Sequence, residues 1–160
     1  MRKLALLLTI VILGTSAFAA APKAAASKGS EGFVGISLNS IAGVPSARFG
    51  FGSWSLDAGG SIANAGNTTT ITLLLRGEIP LSKISSDVNT YVAPELVLVS
   101  GGGTSTTTIN VYLGAEYKFA SNLAIFADLT AFTLTSVGGT TTWTIGGNSG
   151  LIYTGGRLYL

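Results

Sequence analysis

From residue 33 onward the chain alternates apolar and polar positions with period two, and no stretch keeps a helical period. The alternation predicts eight strands, at 33–40, 45–52, 54–65, 69–79, 89–99, 106–119, 123–135 and 141–160. Clusters of Gly, Asn, Ser and Thr separate them, the composition that turns between strands require. The last segment is long, which predicts a bulge or loop around Gly146–Gly150.

The two faces differ in chemistry. In 69–79, Ile71, Leu73, Leu75 and Ile79 share one face, and Thr70, Thr72, Leu74, Arg76 and Glu78 the other. In 108–119, Ile109, Val111, Leu113, Ala115, Tyr117 and Phe119 form the apolar side, with Asn110, Tyr112, Gly114, Glu116 and Lys118 on its reverse. Every charge within a strand falls on the face away from the apolar stripe. A soluble sandwich would bury the apolar face. A membrane barrel would turn it to lipid and line its lumen with the polar one.

Three features favour the barrel. The polar face is mostly Gly, Ser, Thr and Asn, with one charge or charge pair per strand, which suits a narrow lumen. The connections are expected to differ by end: tight turns at Gly52-Ser53 and Ala120–Asn122, longer loops at 64–68, 100–105 and 136–140, with Pro80–Val88 the exception on the tight-turn side. Finally, Phe51, Trp54, Tyr117 and Phe119 lie on the apolar face beside tight turns, where an aromatic girdle marks a membrane interface. The expected fold is therefore all-β: an eight-stranded antiparallel up-and-down transmembrane β-barrel.

The lumen of such a barrel would receive Arg48, Asp57, Arg76, Glu78, Glu95, Glu116, Lys118, Asp128 and Arg157. Isolated charges there would be heavily penalised, so they must pair or hold water. Strand order suggests the pairs Arg48–Asp57, Asp57–Arg76 and Asp128–Arg157, with Glu78 and Lys118 at the rim. The network reads as a plug. Eight strands leave an interior just wide enough for side chains to fill.

Composition sharpens this picture. Only 10% of the 160 residues are charged and 47% are hydrophobic, against about 25% charged in soluble domains. Cysteine and histidine are absent. That excludes disulfides, thiolate or imidazole metal sites, and Ser-His or Cys-His catalysis. No G-x-S-x-G elbow, P-loop or dinucleotide fingerprint occurs. The expectation is a non-enzymatic protein with no catalytic residues, no metal and no cofactor.

The N-terminus has the layout of a secretory signal. Arg2-Lys3 precede an apolar run from Leu4 to Leu13, and Ala17-Phe18-Ala19 supplies an A-x-A cleavage site. The run is too short for a membrane-spanning helix, which needs about 20 residues. The expected organisation is a signal peptide at 1–19, a flexible tail at 20–32 and the barrel at 33–160. Cleavage would remove Arg2 and Lys3 and leave seven basic and seven acidic residues. The pI near 9.0 then carries no implication of nucleic-acid binding.

In its signal peptide, eight amphipathic strands and C-terminal strand, the chain resembles the small eight-stranded outer-membrane β-barrels, whose best-known relative is the membrane domain of outer membrane protein A. The resemblance implies the outer membrane as location. It implies membrane lipid, the insertion machinery and periplasmic chaperones as partners, and a monomeric state. It also implies a C-terminal insertion signal, whose positions are held here by Tyr153, Gly155, Leu158 and Leu160; the family more often ends in an aromatic residue. The expected role is structural or at the cell surface. A narrow pore or transport-associated barrel, and a surface adhesin, are the alternatives.

Overall fold

The computed structural model describes residues 34–39, 44–146 and 152–160. The segments 1–19 and 20–32 lie outside them. The strands are β1 (Val34–Asn39), β2 (Pro45–Phe51), β3 (Trp54–Ala65), β4 (Thr68–Lys83), β5 (Val88–Gly101), β6 (Thr104–Ala120), β7 (Leu123–Val137), β8 (Thr140–Ile145) and β9 (Ile152–Tyr159).

Consecutive strands from β1 to β8 pair antiparallel, and β9 pairs not with β8 but with β7 and β1. The sheet therefore closes on itself as an eight-stranded antiparallel barrel. The eighth stave has two pieces. Thr140–Ile145 pairs with β7 up to Phe132, and Ile152 resumes opposite Leu129. Beyond Ile145, Gly146 donates its N–H to the Ala131 carbonyl at 2.9 Å. The expected interruption around Gly146–Gly150 falls at this place, with 147–151 outside the described residues.

The connections correct one expectation. Ala65 pairs with Thr68, Gly101 with Thr104 and Val137 with Thr140. The supposed loops at 64–68, 100–105 and 136–140 are thus two-residue turns. The longest described connection is at the other end, and it is shorter than the expected Pro80–Val88: Pro80–Lys83 continue β4 and Val88 opens β5, leaving 84–87. Gly102-Gly103 and Gly138-Gly139 explain the difference, because both residues of each pair have positive φ. That is the requirement of a type I′ hairpin turn, whose twist matches the flanking strands. The threonines beside them consequently join the ladder. The end carrying 52–53, 84–87 and 121–122 is called the base, and the opposite end the crown.

A bulge keeps β7 in phase. Val111 pairs with Phe132 and Tyr112 with Thr130, leaving Ala131 as the extra residue. Strict alternation from Leu129 would turn Phe132 and Leu134 into the lumen. The bulge returns both to the outside and points Thr133 inward, where it donates to Asn110.

The barrel is inverted relative to a soluble core. Arg76 and Asp128 are 1% and 0% exposed, whereas Ile62 and Trp143 on the outside are 71% and 66% exposed.

Candidate functional site

The buried charges gather in the half of the lumen nearest the base. Five strands supply five carboxylates, and β2, β4 and β9 supply three guanidiniums. Alternation aims each inward, and barrel closure brings residues of distant strands together.

Glu78 is the hub. It accepts from Arg76 (Nε 3.2 Å, Nη2 3.1 Å), from Arg48 and from Arg157. Its placement corrects the expectation of a rim residue, since it is only 3% exposed. Arg48 also donates to both oxygens of Asp57 at 3.0 Å, across the β2–β3 ladder. Arg157 donates to Glu116 as well.

The expected Asp128–Arg157 pair does not form. Asp128 takes Arg76 instead, with Nη1 2.7 Å from Oδ2 and Nη2 3.0 Å from Oδ1. Asp57 and Arg76 are register partners, yet Arg76 turns to Glu78 and Asp128. These choices follow from reach. A guanidinium on a long side chain spans the narrow lumen and is not confined to the adjacent strand.

Tyrosine hydroxyls complete the carboxylates. Tyr91 donates to Asp128 (2.8 Å), Tyr112 to Glu95 (3.0 Å) and Tyr159 to Glu116. Asn110 donates to Glu95 at 3.1 Å, and Arg76 lies 3.9 Å from the same carboxylate. Multiple partners of this kind offset the desolvation that makes buried ions costly.

Aromatic rings hold the guanidiniums from the sides. The Arg157 guanidinium carbon lies 4.1 Å from the centre of Phe126 and 5.3 Å from that of Tyr91. Arg76 contacts the same two rings at 5.5 and 5.8 Å, and Tyr112 at 5.2 Å. Two of these rings rest on glycines across the ladder: Tyr91 on Gly114, and Phe126 on Gly155. A Cβ on either glycine would strike the ring. Sequence reasoning missed Tyr91, Phe126 and Tyr159 as lumen residues. The available signal was parity, since each falls an even number of residues from a lumen charge.

The remaining predicted residues separate by face. Lys118 is inward at the base, its ammonium 4.6 Å from the Tyr159 ring centre, and has no ion pair among the described residues. It borders a pocket of about 210 Å³ at the base mouth. Arg48, Glu78 and Glu116 of the network are among the residues lining it. Phe51 and Trp54 stack outside with ring centres 4.5 Å apart, and Tyr117 and Phe119 are exposed near the same end. Tyr153 and Gly155 belong to the inward face, Tyr153 meeting Tyr112 edge-on at 6.1 Å. Leu158 and Leu160 belong to the outward face.

Chemically, this arrangement is a cross-brace. Each of the three guanidiniums and five carboxylates is engaged with partners of opposite charge or with hydrogen-bonding groups. Among the described residues, no group of three or more acidic, His or Cys side chains is disposed to hold a metal ion. A comparison with protein families and with curated proteins finds no match.

Proposed function

We propose that the chain is a membrane-spanning barrel of a bacterial outer membrane, closed to solutes, with a structural or cell-surface role and no enzymatic activity. The observation that carries this reading is the continuous apolar exterior wrapped around a charged interior. On β6 the outward residues from Ile109 to Phe119 are apolar or aromatic. At about 3.4 Å per residue and a tilt of about 40°, they span about 25 Å, the height of a barrel's lipid-facing band. Trp54, Tyr117 and Phe119 mark its lower border. In water this exterior would be an apolar patch far larger than soluble monomers carry.

The resemblance to the small eight-stranded outer-membrane barrels supports the location, as does the secretory layout of residues 1–19. It also makes lipid and the insertion machinery the natural partners. The lumen network supports a closed barrel over a pore, because its ion pairs occupy the space an ion would need.

The test is expression in a diderm host, with membrane fractionation and gel mobility before and after boiling. A membrane-bound, heat-modifiable band is expected. A soluble periplasmic protein would overturn the reading. Single-channel recording in planar bilayers is expected to show no steady conductance; steady ion-selective steps would replace the closed barrel with the narrow-pore alternative.

A further inference from the structure

The mouth of the lumen at the base differs from the depth behind it. Deeper in, guanidiniums engage both oxygens of Asp57, Glu78 and Asp128. At the mouth, Ser55, Asn89, Glu116 and Lys118 keep hydrogen-bonding capacity in reserve, and all of them line the cavity of about 210 Å³. Ser55 is 4% exposed, yet its hydroxyl has no partner among the described residues. The same holds for the Asn89 amide. Glu116 is 5% exposed and accepts from Arg157 and Tyr159 through Oε2, which leaves Oε1. The half-buried Lys118 ammonium rests on the Tyr159 ring. A buried polar group without a partner is rare in a folded protein and calls for one.

Alternation and register bring these groups together. Asn89 on β5 faces Glu116 on β6 across the ladder. Lys118 follows Glu116 on the same face, two residues or about 7 Å further along the strand. Ser55 enters from β3 as the register partner of Glu78. Trp54 and Pro80 supply apolar wall.

We propose that this cavity binds a small zwitterion of the amino-acid type. Lys118 and the Ser55 hydroxyl donate to its carboxylate, and Glu116 Oε1 and the Asn89 carbonyl oxygen accept from its ammonium. The charges of the mouth select against simpler ions. A lone anion held by Lys118 meets the carboxylates of Glu116 and Glu78 in the same cavity. A lone cation held by Glu116 meets Lys118 and Arg48. A zwitterion matches both signs at once. At about 30 Å³ per water, the cavity has room for about seven waters, or for a molecule of about six non-hydrogen atoms. Because inward side chains form the site, it does not rest on what surrounds the outer wall.

The experiment is equilibrium dialysis of radiolabelled L-alanine against the folded barrel in uncharged detergent micelles, with protein-free micelles as background. Saturable binding with a Kd of about 1 mM is expected, and glycine should compete for it. Acetate and methylammonium, each with half of the charge pattern, should compete about tenfold more weakly. Lys118→Met and Ser55→Ala should each weaken binding about tenfold, the loss of one hydrogen bond to a charged group, and leave the heat-modifiable gel mobility unchanged. Glycerophosphoethanolamine, the zwitterion of a lipid headgroup, is too large for the cavity and should compete less than glycine. No saturable binding overturns the proposal. Competition by acetate or by methylammonium equal to that by glycine overturns it in favour of a simple anion or cation site. Stronger competition by glycerophosphoethanolamine overturns the amino-acid class, and unchanged binding by a folded Lys118→Met barrel overturns the location. If either variant fails to fold, the competition series on the wild-type protein decides alone.

Discussion

Glu78 and Arg157 stand 79 residues apart in the chain and form an ion pair in the base half of the lumen. The pair joins β4 to β9 across the barrel, and the same carboxylate holds Arg48 and Arg76. One acidic side chain thereby ties three walls of the barrel together. Its removal leaves three guanidiniums short of a partner at once.

Glu78→Leu is therefore expected to be the most damaging of the charge deletions. Breaking a buried pair by removing one partner costs about 3–5 kcal/mol. Urea unfolding in detergent micelles should show a loss of that order. Glu95→Leu, whose guanidinium contact is at 3.9 Å, should cost less. A Glu78→Leu barrel as stable as wild type would show that the network is held by its other members.

The pairing itself is separable by double-mutant cycles. Arg76 with Asp128, and Arg157 with Glu116, touch directly and should couple within the range of about 0.5–3 kcal/mol. Arg157 with Asp128 should couple less than either. A larger coupling for Arg157–Asp128 would favour a network wired along neighbouring strands.

Gly155 is expected to matter for packing, whatever its part in export. Gly155→Ala places a methyl group against the Phe126 ring and the Leu38 carbonyl, and overpacking costs about 1–3 kcal/mol. Refolding purified protein into detergent isolates this effect, because no insertion machinery is present. Gly155→Ala combined with Phe126→Leu should recover part of the loss. A normal refolding yield and stability for Gly155→Ala alone would show that packing does not require the glycine.

The two sides of the wall should respond differently to charge. Leu73 is on the outward face of β4 and Thr72 on the inward face. An arginine at the lipid midplane costs about 2–4 kcal/mol. Leu73→Arg should accordingly impair folding into vesicles more than Thr72→Arg. Equal tolerance would point to a water-soluble barrel.

The mature protein is expected to begin at Ala20, after the Ala17-Phe18-Ala19 site. Edman sequencing or mass spectrometry of the membrane-bound protein reads this directly. Intact Met1 in that fraction would refute a cleaved signal peptide.

Period-two alternation separated the two faces of the strands and located their centres, though β4 runs on to Lys83 and the last segment divides into β8 and β9, because a strand turns successive side chains to opposite sides whatever it pairs with. Ile71, Leu73 and Leu75 could face one way only if Arg76 and Glu78 faced the other. Turn chemistry was less legible. Gly102-Gly103 and Gly138-Gly139 look like loop tips in a linear chain, and only pairing of the flanking threonines shows them to be two-residue turns. The Ala131 bulge was likewise hidden: one surplus residue is visible only when Val111 and Tyr112 fix both sides of it. Partner choice lay furthest beyond the sequence. Arg48 and Asp57 face each other on adjacent strands, so their pair follows from local register. Arg76–Asp128 and Glu78–Arg157 cross the lumen, and their contact depends on closure bringing β4 opposite β7 and β9. The linear pattern therefore determined which residues enter the lumen, while the closed barrel, through the reach of its arginines across a narrow interior, decided which of them meet.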